Sequence, residues 1–194
     1  MAAEIRAFVA IELSRATRDA AAGLVRLLRG RPGGELVRWV RAEGLHVTLR
    51  FLGDIDPERV PMLAWHVGRE TAGLEPFALR LGELRAFPSA RRPRVVALEI
   101  EPAEQLSELA AAVERGVVAA GFPGEARPFR AHLTLGRLRE SRFPDAHDLP
   151  RPPPAPTPVR EVVLLQSRLG PGGSQYTPLE HMALGGEQSP RTHT

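Results

Sequence analysis

The chain has 194 residues, 43% of them hydrophobic, and a formal net charge of +3; it has no cysteine and no lysine, so all 26 basic residues are arginine. These counts exclude disulfides, zinc–cysteine sites, thiol nucleophiles and lysine Schiff-base chemistry. The length suits one domain or two small lobes sharing a core, and so small a positive charge does not by itself call for a nucleic-acid partner.

In chain order, Ile5 to Leu13 reads as a strand with Phe8, Val9 and Ile11. It lacks the apolar core and cleavage site of a signal peptide, and no stretch has the length of a membrane span, so a soluble, cytoplasmic chain is expected. Ser14 is a candidate cap for a helix to about Arg29, with Ala20, Leu24, Leu27 and Leu28 on its apolar stripe. Arg31-Pro32-Gly33-Gly34 ends it, and Val37 to Val40 is a short strand. His46 to Leu52 is a strand closed by Gly53-Asp54, and a helix runs from near Pro57 to Ala72. Phe77 to Leu84 and Arg94 to Ile100 alternate as strands around a basic loop holding Arg91, Arg92 and Arg94. Pro102 to Ala120 is a helix with Leu106, Leu109, Val113 and Val117 on one side, ended by Gly121-Phe122-Pro123-Gly124. Ala131 to Leu138 is a strand, and Pro150 to Pro158 is an extended connector. Val159 to Arg168 and Tyr176 to Leu184 are two strands around Gly170-Pro171-Gly172-Gly173. Residues 185–194 read as a disordered tail, leaving one bilobal domain over 1–184.

Two of these strands carry the same pattern, His46-Val47-Thr48-Leu49 and His132-Leu133-Thr134-Leu135. Residues i and i+2 of a strand share a face, so each copy presents an imidazole beside a hydroxyl. Taken singly, either copy could be a half-buried strand whose polar face meets solvent; the recurrence argues for more. Two such strands facing one cleft would surround a tetrahedral phosphorus with two proton-transfer groups and two hydrogen-bond donors. Arg50, at i+4 from His46, is expected on the same face and could neutralise a phosphate. Arg137 has the opposite parity to His132 and reaches the cleft only if the strand twists or ends by then. Phe51 lies on the apolar parity and is expected in the core, with stacking on a nucleobase as the alternative. His66, His147, His181 and His193 form no ligand-spaced cluster with acids, so no metal is expected.

With these motifs the chain resembles the two-histidine (2H) phosphoesterases, and most closely the RNA 2′,3′-cyclic phosphodiesterases, also called 2′-5′ RNA ligases. Arg6 to Ile11 is similar to that family's opening strand, Leu45 to Gly53 to its first motif and Phe129 to Arg137 to its second. Phe87 to Pro93 and Ser167 to Tyr176 also match. One departure is Ala131, where the family often has proline before the second histidine. Strands and helices mixed with short connections give α+β or two-lobed α/β, and the resemblance implies the α+β fold. Its two pseudo-symmetric lobes are antiparallel sheets with flanking helices, and a central cleft carries both motifs. It implies hydrolysis of a cyclic phosphate to a 2′-phosphate without metal or cofactor, with reversible 2′-5′ ligation chemically permitted. It assigns His46 as the acid at the departing 3′ oxygen and His132 as the base, and Arg137 belongs to its motif; Thr48, Thr134 and Arg50 join Arg137 as the substrate ligands expected from their places on the strands. The implied partner is an RNA with a 2′,3′-cyclic phosphate end, tRNA fragments included, or a small cyclic nucleotide, met by a monomer. An RNA-end binding protein without turnover is the alternative from another class.

Overall fold

The computed structural model describes residues 3–89, 91–140, 144, 149, 152–170 and 173–186. Most of the expected tail, and His147 and His193, lie outside the described residues. The elements are β1 (Ile5–Glu12), α1 (Arg15–Arg29), β2 (Val37–Trp39), β3 (His46–Ile55), α2 (Val60–Thr71), β4 (Phe77–Phe87), β5 (Val95–Glu101), α3 (Ala103–Ala119), β6 (His132–Leu138), β7 (Thr157–Val159), β8 (Glu161–Gly170) and β9 (Gly173–Ala183). They form two antiparallel sheets, one ordered β3-β1-β8-β9 and the other β2-β6-β5-β4-β7.

The two lobes repeat one unit. In each, a strand and a helix precede a motif strand that pairs antiparallel beside the first strand: β1, α1 and β3 in one, β5, α3 and β6 in the other. A single cluster of buried apolar side chains runs through both, from Val9, Val47 and Leu164 to Val96, Leu98 and Leu133. Each helix meets it with residues spaced three and four apart. In α1 the buried stripe is Ala21, Leu24, Val25 and Leu28, while Leu27, expected on it, is 48% exposed. In α3 it includes Leu106, Leu109, Val113 and Val117, as the periodicity predicts. Helices α2 and α3 pack closely because position 116 is glycine: a Cβ there would stand 2.6 Å from the Val67 Cα.

Ser14 caps α1 as expected, its hydroxyl accepting from the Thr17 N–H at 3.2 Å. The same corner explains a strand that the sequence does not announce. The Thr17 hydroxyl donates to the Ala155 carbonyl at 2.6 Å and accepts from the Thr157 hydroxyl at 2.7 Å. The end of the proline-rich connector is thereby drawn against α1, and Thr157–Val159 becomes β7, paired with β4. Strand β3 runs on to Ile55 through Gly53, whose φ of +78° suits glycine in the left-handed region.

Candidate active site

The motif strands belong to different sheets, yet Cα atoms of β3 and β6 come within 8 Å of one another. They are neighbours where the two sheets meet. Opposite residues in an antiparallel pair share a face, so the strand registers identify what each face carries. Glu12 stands opposite His46 and Ala10 opposite Thr48. In the other lobe Glu99 stands opposite His132 and Ala97 opposite Thr134. The two motifs thus sit in equivalent frames, and all four of His46, Thr48, His132 and Thr134 are partly exposed.

Each histidine ring is held alike. The Nδ1–H of His46 donates to the Gly44 carbonyl at 2.8 Å, and that of His132 to the Arg130 carbonyl at 2.8 Å. A carbonyl only accepts, so Nδ1 carries the proton and Nε2 is left to take or give another. Each ring also lies against a phenyl group, Phe8 at 4.8 Å from His46 and Phe87 stacked at 4.7 Å from His132. His46 is further covered by Tyr176, whose ring stands edge-on at 4.9 Å. Burial among these rings pushes the His46 pKa from 6.5 down to about 4, with the Gly44 carbonyl pulling weakly the other way.

That depression has a consequence for stability. Between about pH 6.5 and 4 the unfolded chain binds a proton at His46 that the folded chain refuses. The folded state is therefore fully favoured above pH 6.5 and loses up to about 3 kcal/mol as pH falls through 4. Urea unfolding at pH 7 and pH 4 should show this loss in the natural chain and a smaller one in His46→Gln. Equal pH dependence in both would refute the assignment to His46.

The parity expectations for the residues after each motif are corrected by a β-bulge in each strand. On β3 the pairing passes from Ala10 opposite Thr48 to Val9 opposite Arg50, so Leu49 is an extra residue. One inserted residue reverses the faces beyond it. Arg50 turns away from His46 toward α3, where its side chain is 11% exposed. Its guanidinium donates to Glu114 Oε2 at 2.5 Å, to the Pro123 carbonyl at 2.5 Å and to the Phe51 carbonyl. Arg50 is thus a structural tie rather than a neighbour of the histidine. Phe51 turns the other way: it is 56% exposed, pairs across from Phe8 and stands 5.7 Å from that ring, on the histidine face and not in the core.

On β6 the same bulge falls at Leu135, between Thr134 opposite Ala97 and Gly136 opposite Val96. Arg137 then stands opposite Val95, on the face of His132 and Thr134, exposed to solvent. The position five residues after each histidine is therefore the one that joins the site, aromatic in one lobe and cationic in the other. Ser167 and Tyr176 pair with each other, and Arg6 lies across from Ser167, on the Phe8 face. Arg91, Arg92 and Arg94, between β4 and β5 of the other sheet, are exposed. The remaining histidines stand apart: His66 lies on α2 against Trp65, and His181 Nδ1 bonds Glu161 at 2.9 Å. Among the described residues no group of three acids or histidines is arranged to hold a metal ion, and no helix is long and apolar enough to cross a membrane.

Two pseudo-equivalent lobes of antiparallel sheet, each with a histidine–threonine strand at their junction, are the architecture of a two-histidine phosphoesterase. The chain belongs to the family described as LigT like Phosphoesterase, whose pattern matches residues 11–97 and 98–176, one motif in each stretch. It is 32% identical over 186 residues to an RNA 2′,3′-cyclic phosphodiesterase of Methanothermobacter thermautotrophicus, covering 93% of this chain and 100% of that protein. It is 39% identical over 154 residues to the protein of that name from Thermus thermophilus, covering 74% of this chain and 73% of that one. Among solved structures it superposes on apo E. coli LigT with a TM-score of 0.75, at 30% identity, over 94% of this chain and 99% of that one; the same E. coli protein has been solved with 3′-AMP.

Proposed function

We propose that the chain is a monomeric, metal-independent phosphodiesterase that hydrolyses 2′,3′-cyclic phosphate ends of RNA to 2′-phosphates. The observation that carries this reading is the matched pair of imidazoles, each with Nδ1 tied to the carbonyl two residues back and Nε2 open, on neighbouring strands. The names of the relatives supply the substrate class.

In this reading one Nε2 takes a proton from water while its oxygen bonds to phosphorus. The bond from phosphorus to O3′ breaks, and the other Nε2–H gives its proton to that oxygen. Thr48 and Thr134 donate to the non-bridging oxygens, where charge develops, and Arg137 balances the phosphate charge. The resemblance makes His46 the acid. Burial leaves His46 neutral in the free site at pH 7, so this role requires the anionic phosphodiester to raise its pKa. Binding of inorganic phosphate or 3′-AMP near pH 6 should then take up a proton, seen as a buffer-dependent heat and as an upward move of the His46 imidazole titration. Binding without proton uptake would transfer the acid role to His132.

Phe51 offers an exposed ring on the same face for a nucleobase. Phe51→Ala should raise KM for a 2′,3′-cyclic nucleotide about tenfold while leaving kcat within about twofold, as loss of one base–aromatic stack implies. An unchanged KM would remove Phe51 from the site. The test of the whole reading is product analysis after incubating an RNA with a 2′,3′-cyclic end in EDTA. A 2′-phosphate is expected; tight binding without turnover of any cyclic phosphate would instead favour an RNA-end binding protein.

A further inference from the structure

Strand β2 lies at the edge of its sheet, beside β6, and its register places Arg38 directly opposite Arg137. Both therefore lie on the face that carries His132 and Thr134. Like charges directly opposite on neighbouring strands repel, and no acid among the described residues pairs with either. Both side chains are exposed, and among the described residues neither makes a hydrogen bond or an ion pair. Three other arginines are engaged: Arg50 with Glu114, Arg85 with Glu83 and Glu99, and Arg130 with the Pro88 carbonyl over the Phe87 ring.

The packing holds this pair in place. Position 136 is glycine, and a Cβ there would stand 2.5 Å from Val37 Cγ1 and 3.0 Å from the Trp39 ring. The two side chains flanking Arg38 therefore close over β6, and the Trp39 indole N–H donates to the Gly34 carbonyl at 2.9 Å. The edge strand thus presents a second cation beside Arg137, one interstrand step of about 4.8 Å away.

We propose that Arg38, with Arg137 beside it, forms a second anion subsite that takes the phosphodiester adjacent to the scissile phosphate of an RNA strand. The subsite rests on the reading of the cleft as a cyclic phosphodiesterase site, and it makes an oligonucleotide end a better substrate than a mononucleotide. The opposite wall carries Phe51 at the equivalent motif position, so the backbone tracks along the arginine wall.

The test compares adenosine 2′,3′-cyclic phosphate with the dinucleotide ApA ending in the same cyclic group. Arg38→Ala should raise KM for the dinucleotide about tenfold, the loss of one charged contact, and leave the mononucleotide within about twofold. The dependence of dinucleotide affinity on salt should fall by about 0.7 in log–log slope, and Arg38→Lys should restore most of the affinity. Equal effects on both substrates, or none on the dinucleotide, would overturn the subsite. Direct binding of the inert 2′-phosphorylated products, dinucleotide against mononucleotide, reads the same contact without turnover. If no cyclic phosphate is hydrolysed but Arg38→Ala still weakens only the dinucleotide, the hydrolysis reading fails and the subsite stands.

Discussion

Replacing either histidine, His46→Ala or His132→Ala, should lower kcat on a 2′,3′-cyclic nucleotide by about 10²- to 10⁴-fold, the range for loss of a positioned acid or base. The double replacement should cost little more than the worse single one, because the two groups serve one displacement and their effects do not add. The geometry gives the reason. Each ring is oriented by its bond to Gly44 or Arg130 and by a phenyl partner, so its Nε2 has a defined direction that solvent buffer cannot imitate. His46→Gln serves as the control for folding, since His46 also fills space between Phe8 and Tyr176. Rates are to be measured with EDTA present. A single variant that keeps near-natural turnover would end the two-histidine mechanism, while loss of natural-chain activity in EDTA would end its metal independence.

Arg50 and Arg137 should separate stability from activity. Arg50→Ala removes a mostly buried guanidinium that ties β3 to Glu114 on α3 and to the Pro123 carbonyl. The Glu114 carboxylate then loses its cation, so about 2 kcal/mol of stability should go. That is roughly a 4–8 °C fall in Tm for a chain of this size. Turnover per folded molecule should change little. Arg137→Ala should do the reverse: Tm within about 1 °C, as for an exposed residue, and kcat/KM down about 10- to 100-fold through loss of a charged phosphate contact. Thermal melts and steady-state kinetics on the same preparations check both. If Arg50→Ala instead raises KM at unchanged Tm, the bulge has been misread as the divider of the two roles.

Much of this protein is legible in its residues. The repeated His-x-Thr-Leu pattern, the alternation of Val47 and Leu49 with His46 and Thr48, and the apolar spacing of α3 identify both motif strands, the fold class and the family. One further signal lay in plain view: Val9-Ala10-Ile11-Glu12 recurs as Val96-Ala97-Leu98-Glu99, the strands that pair beside the two motifs. A search for that echo would have predicted which strands frame the site.

What only the tertiary structure decided lies immediately beyond each threonine. A period of two follows from the peptide geometry of any strand, but an inserted residue depends on how two strands align, and their partners are distant in sequence. The bulges at Leu49 and Leu135 reverse the faces, sending Arg50 inward to an acid on α3 and bringing Phe51 and Arg137 out beside the histidines. The facing of Arg38 with Arg137, the drop in the His46 pKa under Tyr176, and the short strand at Thr157 are of the same kind. Each is a contact between segments that the chain brings together only on folding, so local spacing carries no record of it.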